Sequence, residues 1–287
     1  MLISLENVTH IYNQKRAKKA LNNINLSIAR NEFIGLIGST GSGKSTLVQL
    51  LNALIIPSQG QVKIDGTDIT KKDVNLKNIR QKVGLVFQYP EHQLFEETVA
   101  DEIAFGPRNL NLAQDKISDR VQQALNLVGL DYQKFKERSP FNLSGGQQRR
   151  VALAGVLAMS PDVLILDEPF AGLDPDGRKS LVQLLTHLHQ NQEITIILIS
   201  HRMAEIARLA TRVIVLKQGE IALNGSPGEV FSQVEKIRDL SLDLPQITEI
   251  LYKLNQKGFN LRTDIFSISE AAAKISSIIK EQKVDVK

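Results

Sequence analysis

Phe33-Ile34-Gly35-Leu36-Ile37-Gly38-Ser39-Thr40-Gly41-Ser42-Gly43-Lys44-Ser45-Thr46 begins as an unbroken apolar run, passes through a glycine-rich turn and leads into Leu47-Val48-Gln49-Leu50-Leu51. The apolar run has strand length and no alternation, so it predicts a strand buried on both faces. A helix is expected from Lys44 to about Leu54. Gly38–Ser45 fits the pattern G-x-x-x-x-G-K-[ST] in its strand–turn–helix context. The glycines let successive backbone N–H groups converge on phosphate oxygens, and the helix start adds partial positive charge. Lys44 can reach β- and γ-phosphates, and the Ser45 hydroxyl can ligate Mg²⁺. At average residue frequencies a chance match is roughly one in a hundred. The nucleotide-binding set is Gly38, Ser39, Thr40, Gly41, Ser42, Gly43, Lys44, Ser45 and Thr46.

Working outward, Val163-Leu164-Ile165-Leu166-Asp167-Glu168 reads as a buried strand ending in two acids. Beside a phosphate loop, the first acid suits Mg²⁺ and the second can polarise an attacking water. Paired acids at a strand end are also common as solvated groups. Ile194–Ile199 is a second buried parallel strand, and the helix Arg178–Gln190 between the two makes a βαβ unit. Parallel strands gather their carboxyl ends at one crevice. His201, two residues past Ile199, can therefore reach a γ-phosphate or its water, or serve as a structural hydrogen-bonding group.

Leu143-Ser144-Gly145-Gly146-Gln147 forms another candidate anion site, roughly a hundred residues beyond the first. Ser144 suits an N-cap, and the glycines open a helix with free N–H groups. A plain helix cap explains the same residues.

The rest of the chain frames these segments. Leu2–Val8 and Ile24–Ile28 alternate with period two, as antiparallel strands with one wet face do. Val62-Lys63-Ile64 ends at Asp65-Gly66, a hairpin signal, and Val83–Phe87 is another buried strand. From about Asp101 to Leu157 the pattern is helical, with Val121, Leu125 and Val128 on one face and Gly129 as a stop. Val213–Leu216 and Ile221–Leu223 form a closing hairpin around Gln218-Gly219. Composition shifts near residue 236. Beyond it, Pro245 starts an amphipathic helix with Ile247, Ile250, Leu251 and Leu254 on its apolar face. Ser267–Glu270 has capping-box spacing and opens a second helix, with apolar face Ile268, Ala272, Ile275 and Ile279.

Composition narrows the classes. The chain has 287 residues, a net charge of +4 and no cysteine. At about 150 residues per domain, that is one large domain or a domain with an appendage. Disulfide scaffolds, thiolate zinc sites and thiol catalysis are excluded. A charge this close to balance gives no reason to expect nucleic acid as a partner. Apolar runs stay well short of the roughly 20 residues a spanning helix needs. Met1–Glu6 lacks a signal-like opening. The expectation is an intracellular chain that meets a membrane only through a partner.

Taken together, Gly38–Ser45, Leu143–Gln147, Asp167-Glu168, Gln88 and His201 resemble, in order, the ATP-binding cassette (ABC) ATPases, over about residues 1–235. The resemblance implies an α/β P-loop core of mostly parallel sheet flanked by helices, an N-terminal antiparallel β-subdomain and a helical subdomain at about 95–160. Residues 236–287 are then a small C-terminal helical extension. It also implies a head-to-tail dimer, with ATP between one chain's phosphate loop and the Ser144, Gly145, Gly146 and Gln147 turn of the other. Tyr12 is similar to the residue on which the family stacks adenine. Gln88 resembles the glutamine that contacts Mg²⁺ or water and faces a transmembrane partner. Asp174, in Ala171–Asp174, resembles the aspartate that crosses the dimer interface.

A narrower resemblance joins Phe87–Phe95, Phe105-Gly106-Pro107 and Ala154–Met159 to the ATPases of energy-coupling-factor (ECF) and cobalt-type importers. Ser39-Thr40-Gly41 and Glu96-Glu97-Thr98 look more like the second of two ATPase paralogues. It implies a peripheral subunit at the cytoplasmic face of the membrane. Its partners are a second ATPase chain (same or paralogous), a transmembrane coupling protein and a substrate-binding membrane subunit for a vitamin or metal ion. ATP and Mg²⁺ are the implied cofactors. Lys44, Gln88, Glu168 and His201 form the implied catalytic group, and Ser45, Gln88 and Asp167 the metal set. Glu91 and Glu97 are expected either to meet a basic partner helix or to be solvated. The alternatives are an ABC ATPase of another importer or exporter, or one acting on DNA. The latter would insert a long coiled coil between the phosphate loop and Leu143–Gln147, and no sustained heptad lies there.

Overall fold

The computed structural model describes residues 1–12 and 18–284, with side chains up to residue 278. In chain order the elements begin with β1 (Ile3–His10), β2 (Leu21–Ile28), β3 (Phe33–Gly38), α1 (Lys44–Leu51), β4 (Gln59–Ile64), β5 (Thr67–Asp68), α2 (Leu76–Lys82) and β6 (Val83–Val86). A 3₁₀ turn at Pro90–Gln93 follows, then α3 (Val99–Asn109), α4 (Gln114–Leu127), α5 (Tyr132–Phe135) and α6 (Gly145–Leu157). The remainder is β7 (Val163–Asp167), α7 (Pro175–Gln192), β8 (Thr195–Ile199), α8 (Met203–Leu209), β9 (Arg212–Lys217), β10 (Glu220–Gly225), α9 (Pro227–Phe231), α10 (Val234–Asp239), α11 (Gln246–Asn255) and α12 (Ile268–Val284).

The strands form two sheets. One is antiparallel, in the order β2-β1-β4-β5, and the other runs β10-β9-β3-β8-β7-β6. In the second, β9, β3, β8, β7 and β6 are parallel and only the edge strand β10 is reversed. The unbroken apolar runs follow from this layering. Phe33, Ile37, Leu164, Leu166, Ile196 and Leu198 face one core. Ile34, Leu36, Val163, Ile165, Ile197 and Ile199 face the other, shared with α1 and the antiparallel sheet. Both faces are covered, so neither needs polar residues.

The hairpin expected at Asp65-Gly66 forms, with both residues at positive φ. Val121, Leu125 and Val128 are buried together, and Gly129 (φ 72°) ends that helical stretch. The phosphate-loop helix stops at Leu51, short of the expected Leu54, because Ala53 turns to φ 53°.

The C-terminal stretch differs more. The composition shift near residue 236 falls inside α10, whose Ile237 belongs to the main core along with Phe231, Leu240 and Leu242. A separate small core joins Leu251, Leu261, Ile265 and Ala271, with Ile247, Leu254, Ile275 and Ile278 packed against it. Ile250 was expected inward but is 48% exposed, and Thr248 takes the buried place. In α12 the inward stripe is Ala271, Ile275 and Ile278, whereas Ile268 is 75% exposed and Ala272 is also exposed. The Ile279 side chain lies outside the described residues. Both stripes satisfy a helical period, and contact with Leu251 and Leu261 selects between them.

Candidate functional site

Because β3, β8, β7 and β6 are parallel neighbours, their carboxyl ends deliver the phosphate loop, His201, Asp167-Glu168 and Gln88 to one edge of the sheet. The loop after β3 is pinned from outside. Gly219 N–H donates to Ser42 O at 2.9 Å, and Asn22 N–H donates to Gly219 O at 2.8 Å. That crowding explains Gly43: it sits at φ 109°, and an added Cβ would stand 2.7 Å from Ala20 O. At Gly41 (φ 78°) an added Cβ would meet nothing within 4 Å. The loop is thus tight on its protein side and open where a phosphate would lie.

Lys44 opens α1 and curls over the loop. Its Nζ donates to Gly38 O at 2.6 Å and Ser39 O at 3.1 Å. Burial pulls its pKa below the ordinary lysine value, while Glu168 and Asp167 pull the other way. Ser42 Oγ is buried with no hydrogen-bond partner, whereas Ser45 is exposed at the first turn. Tyr12 lies alongside: its hydroxyl is within hydrogen-bond reach of Thr46 Oγ1 and Gln49 Oε1, both at 3.2 Å. Tyr12 is 62% exposed and lines a cleft of about 360 Å³ with Lys18, Lys19, Gly41, Gly43, Ser45 and Thr46.

The acid pair occupies the end of β7. Burial raises the pKa of Asp167, opposed by Lys44 and His201. Glu168 is also pushed up by burial, with His201 as the main opposing charge. Its Oε1 stands 3.5 Å from His201 Nε2, an ion-pair separation, yet it is buried without a hydrogen-bond partner. The Glu168 backbone is left-handed (φ 49°), held by Glu168 N–H to Ile199 O at 2.9 Å and Ala171 N–H to Glu168 O at 3.1 Å. A non-glycine residue in this region costs about 1–3 kcal/mol and concentrates at functional sites.

Ser144–Gln147 stand apart from this group. Ser144 caps α6 in a full capping box, accepting from Gln147 N–H at 3.4 Å while Gln147 Oε1 accepts from Ser144 N–H at 3.1 Å. Gly145 and Gly146 are exposed, and a Cβ at either would meet nothing within 4 Å. Ser144, Gly146 and Asp174 line a second cleft of about 850 Å³, and no described residue lines both this cleft and the first. Asp174 Oδ1 accepts from Gly177 N–H at 2.7 Å and so caps α7.

Glu91 corrects an expectation. It is neither solvated nor free for a partner: Arg149 holds it in a two-pronged pair, Nε to Oε2 at 3.1 Å and Nη2 to Oε1 at 2.7 Å. Both side chains are about 14% exposed or less. Burial pushes Glu91 up, but the Arg149 hydrogen bonds prevail and hold it below the usual glutamate value. Glu97 is exposed. Sequence reasoning passed over Arg149, which no local motif marks. It also passed over Lys18 and Lys19, although the basic run Lys15-Arg16-Ala17-Lys18-Lys19 between two strands was a visible signal.

A phosphate loop, an acid pair and a histidine at adjacent strand ends define a nucleotide-hydrolysing P-loop protein, here with a second phosphate-type helix start on a separate face. Residues 21–171 match the family model described as ABC transporter. The energy-coupling factor transporter ATP-binding protein EcfA2 of Clostridium tetani is 52% identical over 98% of this chain and 99% of its own length. The protein of the same name from Clostridium perfringens is 52% identical over 98% and 99%. Among solved structures, CbiO1 of Clostridium perfringens, part of the ABC transporter complex CbiONQ, is 38% identical with a TM-score of 0.74, covering 88% of this chain and 98% of its own. The ATP-binding cassette MJ0796, as a post-hydrolysis dimer with ADP and Pi, is 30% identical with a TM-score of 0.69, covering 79% and 99%. The chain belongs to the ABC transporter family, among the ATP-binding proteins of energy-coupling factor transporters. It is an ATP-hydrolysing transport subunit.

Proposed function

We propose that the chain works as one of two ATPase protomers on an ECF-type importer, coupling ATP binding and hydrolysis to uptake of a vitamin or metal ion through separate membrane subunits. The observation that carries this reading is the separation of the two phosphate-type sites. Gly41, Gly43, Ser45 and Thr46 line one cleft and Ser144 and Gly146 another, with no lining residue in common, which supports a site completed by a second chain. A second protomer placed head to tail supplies the missing half of each site. Its mate is the same or a paralogous chain. The assembly also takes a transmembrane coupling protein and a substrate-binding membrane subunit. Among the described residues no helix is long and apolar enough to cross a membrane. The cytoplasmic membrane face is therefore reached through these partners. Residues 1–235 serve as the nucleotide-binding unit and 236–287 as the extension, with the Ile237–Leu242 packing as the joint.

In this reading the adenine stacks on Tyr12. The loop N–H groups of Gly38–Ser45 take the phosphates, with Thr46 at the cleft wall. Lys44 exchanges its carbonyl contacts at Gly38 and Ser39 for phosphate oxygens, which relieves the half-buried ammonium. The donor set fits Mg²⁺: the Ser45 hydroxyl, the Asp167 carboxylate and the Gln88 amide oxygen are all hard oxygens, and Asp167 is buried enough to welcome a cation. Bound there, Mg²⁺ would supply charge stabilisation for the transferred phosphoryl group. Glu168 accepts the proton of the attacking water, and the raised pKa keeps its carboxylate basic. His201, next to Glu168, orients the γ-phosphate. Ser144, Gly145, Gly146 and Gln147 present the helix start of α6 to the partner's nucleotide, and Asp174 lies at the same interface. Closure excludes water, which strengthens each of these charge contacts.

The test is native pull-down from membranes with identification of the bound subunits, together with nucleotide titration. Recovery of a second ATPase and hydrophobic membrane subunits supports the reading. Recovery of a different kind of transporter, or of none, refutes it. Lys44→Ala should abolish tight MgATP binding, and an unchanged titration would contradict the phosphate-loop assignment.

A further inference from the structure

Arg149 lies one helical turn beyond Gly145 and is 13% exposed, well inside the protein for a guanidinium. Its donors are divided between two turns. Nε and Nη2 hold Glu91 in the Pro90–Gln93 turn, two residues past Tyr89, whose backbone is left-handed at φ 55°. Nη1 donates to Ala171 O at 2.5 Å and Pro169 O at 3.4 Å. Those two carbonyls belong to the tight turn that begins with the left-handed Glu168 and is closed by Ala171 N–H to Glu168 O. A left-handed non-glycine residue persists only where its surroundings over-determine it. Arg149 braces two carbonyls of that turn, and it draws its position from α6 and from the segment that follows Gln88. A planar guanidinium with donors on two edges can hold a carboxylate and carbonyls at once, whereas an ammonium cannot span them.

We propose that Arg149 is a positioning residue for hydrolysis, holding the Glu168–Ala171 turn in its working conformation and making that conformation depend on where the Gln88 segment and α6 stand. Movement of either element, as when a membrane partner shifts, is then felt directly at the backbone that carries Glu168. The inference rests on the hydrolysis reading above, because it assigns Glu168 the water.

The experiment uses the assembled transporter in lipid discs with MgATP, measuring phosphate release, nucleotide affinity and melting temperature for three variants. Arg149→Lys keeps the charge but cannot bridge carboxylate and carbonyls. Its kcat should fall by about tenfold or more, with nucleotide affinity within twofold of the unaltered chain. Glu91→Gln keeps an acceptor for Arg149 and leaves the carbonyl contacts in place, so its kcat should fall less than that of Arg149→Lys. The exchange Glu91→Arg with Arg149→Glu restores an ion pair but turns a carboxylate toward the carbonyls of Pro169 and Ala171, so it should stay as slow as Arg149→Lys. The proposal is overturned if Arg149→Lys turns over within twofold of normal, if the exchange restores full turnover, or if the loss appears in affinity rather than kcat. A lowered melting temperature with normal kcat per folded assembly also overturns it, since that marks a merely structural pair. If the exchange variant does not fold, the ranking of the two single variants decides. An unaltered chain that hydrolyses no ATP refutes the hydrolysis reading and this inference together, whereas normal turnover in Arg149→Lys refutes this inference alone.

Discussion

Replacing Gly145 with alanine should move stability and turnover in opposite directions. Gly145 is the first residue of α6, is exposed, and has no positive φ that alanine would resist. An added Cβ meets no protein atom within 4 Å. Folding therefore gains the unfolded-state entropy that glycine forfeits, about 0.4–1 kcal/mol. For a chain of this size that is a rise of about 1–4 °C in melting temperature. In the closed dimer proposed above, the same Cβ must fit between the α6 helix start and the partner's nucleotide. Overpacking a close interface costs about 1–3 kcal/mol. Charged to the hydrolytic state, this is a loss of roughly 5- to 150-fold in turnover at about 1.4 kcal/mol per tenfold. Calorimetry on the isolated chain and phosphate release on the assembly read the two signs separately. Normal turnover in Gly145→Ala would show that this glycine approaches no ligand. A fall in melting temperature would show that its place is structural.

Glu168→Gln keeps size and shape but removes the proposed base. Turnover should drop by about 10²–10⁴-fold while MgATP still binds and holds the dimer closed, seen as nucleotide-dependent dimer in sedimentation. Hydrolysis within tenfold of normal would take the water from Glu168. Asp65 in the β4–β5 hairpin is held below its ordinary pKa by hydrogen bonds from Lys82 first, then by Arg30. A depressed carboxylate contributes stability above its unfolded pKa of about 3.9 and loses it as pH falls through the folded value. Asp65→Asn, which tolerates the same left-handed backbone, should cost up to about 1 kcal/mol at pH 7, discounted for its partial exposure, with the gap closing in strongly acidic solution. A gap that does not shrink in urea titrations at low pH would remove the ion pairs as its cause.

Much of the candidate site could be assembled from the sequence because its proposed chemistry is local. The phosphate loop needs a strand, a tight turn and a helix start in immediate succession, and Phe33–Leu51 carries all three. The acid pair and His201 follow strands whose apolar runs mark them as interior and parallel, and parallel neighbours align their carboxyl ends. Tyr12 and Gln88 enter the proposed site only through resemblance, since nothing in their own neighbourhood demands a nucleotide. Glu91 was misread because a carboxylate in a turn is usually solvated, and its partner is 58 residues away.

By itself the sequence marked the main strands, the helix after the glycine-rich turn and a candidate phosphate loop, and it excluded thiol chemistry, because these follow from periodicity, turn geometry and residue chemistry over a few neighbours. Only the tertiary structure decided which of two equally periodic stripes of α12 turns inward and that Thr248 rather than Ile250 is buried. It also decided that Ser144 opens on a different cleft from Ser45, and that Arg149 joins two distant turns. Each of these depends on what packs across the chain, and a helix or a charged side chain carries no record of its long-range partner in its own sequence.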